Sequence, residues 1–157
     1  MANYQSQEAI DNDDGSAYYH SFSNFIVGGQ SGQKNDYDGH DNVQNNNVYA
    51  YVEKCGRICA QFPGHNDVFR NNTCVLKGKG AEIAYLDFAC DSPKEALPRL
   101  GDNRIFSQDG QVMLCGLSLE DYQAQTGRDI GTSVSFIPSD DYLINLGRQV
   151  LNLAVEM

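Results

Sequence analysis

The stretch GHDNVQNNN at residues 39–47 returns as GHNDVFRNN at 64–72. At an offset of 25 the copies share Gly39/Gly64, His40/His65, Val43/Val68, Asn46/Asn71 and Asn47/Asn72. A looser copy, DDGSAYYHSFSNFIV, lies upstream and sets Gly15 and Asn24 one such interval ahead of Gly39 and Asn47. The first half of the chain therefore repeats with a period of about 23 to 25 residues, within the range of solenoid units. Each repeated Asn is followed by a short run rich in β-branched or aromatic residues: FIV at 25–27, VYAYV at 48–52 and TCVL at 73–76. Such runs read as strands, and the Gly, Asn and Asp between them as turns.

A period of this length signals a solenoid, in which each unit buries its apolar side only by stacking on a neighbour. Helical units would need amphipathic helices, and residues 10–90 show no 3.6-residue periodicity. The unit is therefore a coil of three short strands, with successive coils about 4.8 Å apart. The expected fold is all-β, a right-handed parallel β-helix. Asn24, Asn47 and Asn72 are expected to stack as a ladder, because a side-chain amide both donates and accepts along the solenoid axis.

The organisation expected is a run of coils over 1–116, with an insertion around 77–101, then a helical cap over 117–157. The insertion follows from the longer interval between Asn72 and Asn103, with Pro93 and Pro98 inside it. In the cap, Ser139 is an N-cap followed by acids, and Leu143, Leu146, Val150 and Leu153 form an apolar face. Coil-like sequence begins with EAI at 8–10 and no covering segment is visible before it. An open coil end exposes unpaired backbone, so the expectation is a piece of a longer protein or a chain that stacks end to end.

The 157 residues carry 11 basic and 21 acidic side chains, a net charge of −10. That excludes nucleic acid and anionic membrane as expected partners. No apolar run is long enough to span a bilayer, and no targeting peptide is visible. The five cysteines, 55, 59, 74, 90 and 115, leave at least one without an intramolecular partner, and their spacing fits no zinc template. Cysteine usage and the Asn71 sequon favour an extracellular protein.

Chemistry is sought where the coils are most polar. DNDDG at 11–15 and NDYDGHD at 35–41 align Asp14-Gly15 with Asp38-Gly39, and Ser16, His40 and His65 form the next column. In that register Asp14 and Asp38 lie about 5 Å apart. Two carboxylates so close split their pKa values into a donor and an ionised partner, at a spacing resembling that of retaining glycosidases. Asp13, Asp14, Asp38 and His40 are thus the catalytic candidates, with Lys34, Asp36, Asp41 and His65 as substrate-binding candidates. Asp-Gly is also a common turn pair. DNDDGS departs from an EF-hand loop, leaving no cofactor, or a looser Ca²⁺ site, as the expectation.

The Asn-punctuated coils resemble the right-handed parallel β-helix proteins that include pectate-lyase-like, polygalacturonase-like and alginate-epimerase-like enzymes. LSLEDYQAQTGRDIGTS is similar to the segment L-x-x-W-Q-x-x-x-G-x-D-x-x-S near the end of many members, with Tyr122 in place of Trp. The resemblance implies an extracellular protein that acts on or binds an acidic polysaccharide, as a lyase, hydrolase or epimerase. The alternative expectation is a structural or adhesive β-helix that self-assembles into oligomers or filaments.

Overall fold

The computed structural model describes residues 8–154. Three parallel sheets form the faces of a solenoid. Sheet one holds Glu8–Asn12, Ser31–Asn35, Lys54–Ile58 and Leu86–Asp87. Sheet two holds His20–Phe22, Val43–Asn45, Val68–Arg70 and Arg99–Gly101. Sheet three holds Phe25–Val27, Val48–Val52, Thr73–Leu76, Arg104–Ser107 and Ser133–Phe136. Four coils contribute one strand to each sheet and a fifth adds Ser133–Phe136 to sheet three, so the parallel β-solenoid expected from the repeat is the fold observed.

The ladder is longer than the three asparagines that announce it. Asn24 Nδ2 donates to Asn47 Oδ1 at 2.9 Å, Asn47 Nδ2 to Asn72 Oδ1 at 3.1 Å, and Asn72 Nδ2 to Asn103 Oδ1 at 3.4 Å. Asn103 Nδ2 reaches Thr132 Oγ1 at 3.4 Å, so a hydroxyl ends the series. Every ladder residue follows one in the left-handed region: Ser23, Asn46, Asn71 and Asp102 at φ 53 to 57, and Gly131 at φ 81. This sharp corner turns the ladder side chain inward to meet buried backbone N–H groups, such as Asn47 N on Asn72 Oδ1 at 3.0 Å. The sequon residue Asn71 occupies the exposed corner beside the ladder, not a rung of it.

The register survives the insertion, since Arg99 pairs with Val68 and Arg104 with Thr73 across it. Cys90–Cys115 ties the inserted loop to the hairpin Met113–Leu114/Leu117–Ser118, and Cys55–Cys74 crosses the core of the third coil. Cys59 is the unpaired thiol.

The interior changes character along the axis. In the first two coils Ile26, Tyr49 and Val52 share it with a polar network: Asn12 Nδ2 donates to Asn35 Oδ1 at 2.8 Å, Gln44 Nε2 to the same oxygen at 3.1 Å, and Asn35 Nδ2 to Asp67 Oδ2 at 2.7 Å. Gln33 links Ser21 and the Tyr49 hydroxyl. From the third coil onward Phe69, Leu76, Tyr85, Leu86, Ile105 and Leu114 fill the same space.

Two helices follow the coils. Helix α1, Leu119–Thr126, starts on the Ser118 cap and sends Leu119 and Tyr122 into the end of the core. Helix α2, Asp140–Val150, does not stack on that end. It runs back along the outside of sheet three, where the Tyr142 ring meets Phe106, Asp140 accepts from Tyr51 at 2.5 Å, and Gly147 sits against Phe25. The reason lies in VYAYV and TCVL: Val48, Ala50 and Val75 point outward yet are apolar, so this face needs a cover.

Candidate functional site

The observed register places the two carboxylates expected to stack as a catalytic pair one residue out of line. Asn12 pairs with Asn35 and Ala17 with His40, an offset of 23, so Asp14 falls opposite Tyr37 and Gly15 opposite Asp38. Gly15 N donates to Tyr37 O at 2.7 Å, which fixes the match. Aligning Gly15 with Gly39 compares residue types. The fold instead matches conformations, since Gly15 at φ 72 and Asp38 at φ 61 occupy the same left-handed corner. Asp13, Asp14 and Asp38 are exposed corner residues.

Asp36 and Lys34 belong to a separate charge cluster on sheet one. Lys34 Nζ lies 2.5 Å from Asp36 Oδ2 and 3.2 Å from Asp11 Oδ2. Its hydrogen bond holds the Asp36 carboxyl below the usual carboxylate range, and the same contact raises Lys34. Asp11, Asp13 and Asp36 offer oxygens within 4.8 Å of one another, but the ammonium already supplies the cation there.

His40, Asp41 and His65 do come together. Asp41 Oδ2 lies 2.9 Å from His40 Nδ1 and 2.6 Å from His65 Nδ1, and Asp41 Oδ1 accepts from Asn66 N at 3.2 Å. The His65 and His40 bonds hold the Asp41 carboxyl below its ordinary range. The two copies transpose one pair, Asp41-Asn42 against Asn66-Asp67. The exchange leaves one aspartate outside, facing histidines, and buries the other, where Asp67 Oδ1 accepts from Asn42 N at 2.7 Å. Burial pushes the Asp67 carboxyl up.

Beside this cluster lies the outer face of sheet two, which the sequence alone did not single out. Its register builds two columns, His20–Val43–Val68–Arg99 and Phe22–Asn45–Arg70–Gly101. One end is aromatic: Phe22 is 56% exposed, its ring lies 4.7 Å from His20, and Tyr18 and Tyr19 are 74% and 56% exposed next to it. The other end is basic. Arg70, Arg99 and Arg128 line an open cavity of about 340 Å³ with Leu100 and Ile130. Arg70 pairs with Asp102 at 2.5 Å and Arg99 Nε donates to Asn66 Oδ1 at 3.3 Å. Arg128 donates to the Pro98 carbonyl, while its buried Nε has no hydrogen-bond partner. Asp129, which also lines the cavity, is pushed up to about 6 by burial.

Three coil spacings separate the ends, roughly 15 Å. Asn66 connects the parts, bonding both Asp41 and Arg99. The arrangement offers an extended ligand apolar platforms, a central histidine pair and a terminal anion cradle. No family model, curated protein or solved structure matches the chain.

Proposed function

We propose that this protein binds an acidic polysaccharide along the outer face of sheet two, with the exposed aromatic rings against sugar faces and Arg70, Arg99 and Arg128 on the carboxylate or sulfate groups. The observation that carries the reading is the concentration of three of only 11 basic residues around one cavity in a chain of net charge −10. Guanidinium groups recognise carboxylates and sulfates through paired N–H donors, and they bind more strongly in a partly desolvated cleft than on open surface. Tyr18, Tyr19 and Phe22 present more apolar area than solubility favours, at the far end of the same face. The resemblance to pectate-lyase-like β-helix proteins points to the same ligand class, and the two disulfides fit an extracellular setting.

The test is calorimetric binding of polyuronates, sulfated glycans and neutral polymers to the full chain at two salt concentrations, with product length read by chromatography in parallel. The expected result is binding to the acidic polymers only, weakened by salt and by about tenfold in each of Arg99→Ala and Arg70→Ala. Equal affinity for neutral polymers, or unchanged affinity in both arginine variants, would overturn the assignment. Shortened chains would add turnover to binding.

A further inference from the structure

Two of the chain's three histidines sit one repeat apart in sequence, in successive coils. Their ring centroids are nevertheless 4.5 Å apart, and both rings turn Nδ1 onto the same oxygen, Asp41 Oδ2. We propose that His40 Nδ1, His65 Nδ1 and Asp41 Oδ2 form a binding site for a divalent transition metal of the zinc type, with water completing the coordination. This inference does not depend on the glycan reading.

Chemistry of the donor set selects the metal. Two imidazoles and one carboxylate suit Zn²⁺ and its borderline neighbours, whereas Ca²⁺ and Mg²⁺ require a shell made mostly of oxygens. Tetrahedral zinc with bonds of about 2.1 Å sets its ligand atoms roughly 3.4 Å apart. The observed 2.9 and 2.6 Å separations from Asp41 Oδ2 are therefore a little too tight. Each nitrogen needs to draw back by less than about 1 Å to admit the ion. The side chains have that room, at 27%, 29% and 45% exposure for His40, Asp41 and His65.

The surroundings hold the ligands in place without filling the site. Asn66 N fixes the other carboxylate oxygen, which leaves Oδ2 presented to the rings. Asp41 stands in a left-handed corner at φ 55, anchored by the Asn42–Asp67 bond one residue on. Tyr18 and Phe62 lie edge-on to the His40 ring at 5.3 and 6.4 Å, so one wall is apolar. Coil stacking places Asp41 against Asn66, and the Phe62–His65 turn, closed by His65 N on Phe62 O at 3.0 Å, brings the second ring to it. The acidic cluster at Asp11, Asp13 and Asp36 differs in having Lys34 inserted as its counter-charge.

The decisive experiment titrates metal-free full-length chain with ZnCl2 by calorimetry near neutral pH and counts retained zinc by elemental analysis after desalting. One zinc per chain is expected, with affinity reduced at least about tenfold in His65→Ala and in His40→Ala and unchanged in Asp36→Asn. Binding should weaken on acidification, because the imidazoles must release their Nδ1 protons to bind metal. His65 is exposed, so its removal leaves the coils packed. A zinc-dependent rise in Tm that is present in the parent and absent in His65→Ala reads the site independently of affinity. No retained zinc, or zinc held equally well by both histidine variants, overturns the proposal.

Discussion

Asp129 offers a quantitative handle on the folded state. It is 1% exposed, and its carboxylate accepts from the Tyr85 hydroxyl at 2.7 Å and the Thr132 hydroxyl at 2.5 Å. Burial outweighs these bonds and raises the pKa from 3.8 to about 6. The rise corresponds to about 3 kcal/mol at 1.36 kcal/mol per pKa unit. Because the folded chain holds this proton more tightly than the unfolded chain, the native state carries more protons between about pH 4 and pH 6, and stability falls as pH rises through that window. Below it the contribution is complete, and above it the contribution is lost. Asp129→Asn stays neutral throughout, keeps an oxygen for Tyr85, and tolerates the left-handed φ of 54. Urea unfolding of both proteins from pH 4 to 7.5 should show the stability difference shifting by about 2.5 kcal/mol in favour of the variant. Taking the difference cancels Asp36 and Asp41, whose lowered pKa values give the opposite slope at lower pH. Profiles that stay parallel to within about 0.5 kcal/mol would refute the reasoning.

Asn72→Ala should cost about 3 kcal/mol in urea unfolding, because it removes the acceptor of the buried Asn47 N, one of the two bonds made by Asn47 Nδ2, and the side-chain donor to Gln44 O. Asn24→Ala, at the half-buried end of the ladder, should cost about 1 kcal/mol. Replacing Cys90 and Cys115 together by Ser opens a loop with a sequence separation of 25 and should lower stability by about 3.5 kcal/mol, measured as a shift in the urea midpoint. Hydrogen exchange should release amides of the first two coils before those of the third and fourth, since Ser21, Gln33, Asn35 and Gln44 bury less apolar area than Phe69, Leu86 and Ile105. Uniform protection along the axis would count against that gradient.

The solenoid was legible because the repeat is carried by residues with a fixed structural job. A ladder asparagine must recur once per coil, and the apolar run after it must recur as a strand. The register of the first coil was misread by one residue because Gly15 and Asp38 serve the same left-handed corner with different side chains. Sequence comparison rewards identity, while the fold requires only a tolerated φ. Arg70, Arg99 and Arg128 left no joint signal because Arg99 lies within the insertion and Arg128 beyond it, where the ladder spacing lengthens and the repeat no longer aligns. The apolar stripe of α2 was visible, but its resting place was not. Finding that place requires knowing that both faces of VYAYV and TCVL are apolar, and therefore that a cover lies outside sheet three.

The three outer faces of the solenoid explain why a ligand would meet sheet two. Sheet three is apolar outside, and α2 covers it, with Leu143, Leu146 and Gly147 buried. Sheet one carries a column of charges, Asp11–Lys34–Arg57–Asp87, that neutralise one another or near neighbours: Lys34 with Asp11, Arg57 with Glu8, Lys54 with Asp87. Neither face needs anything further. Sheet two has no helix over it and no carboxylate beside Arg99 among the described residues, and it exposes Phe22 at its aromatic end. An acidic chain gains nothing in solubility by gathering arginines and bare rings on one uncovered face. A polyanion with apolar ring faces would satisfy both ends at once, whereas a neutral or purely apolar ligand would give Arg99 no ion pair.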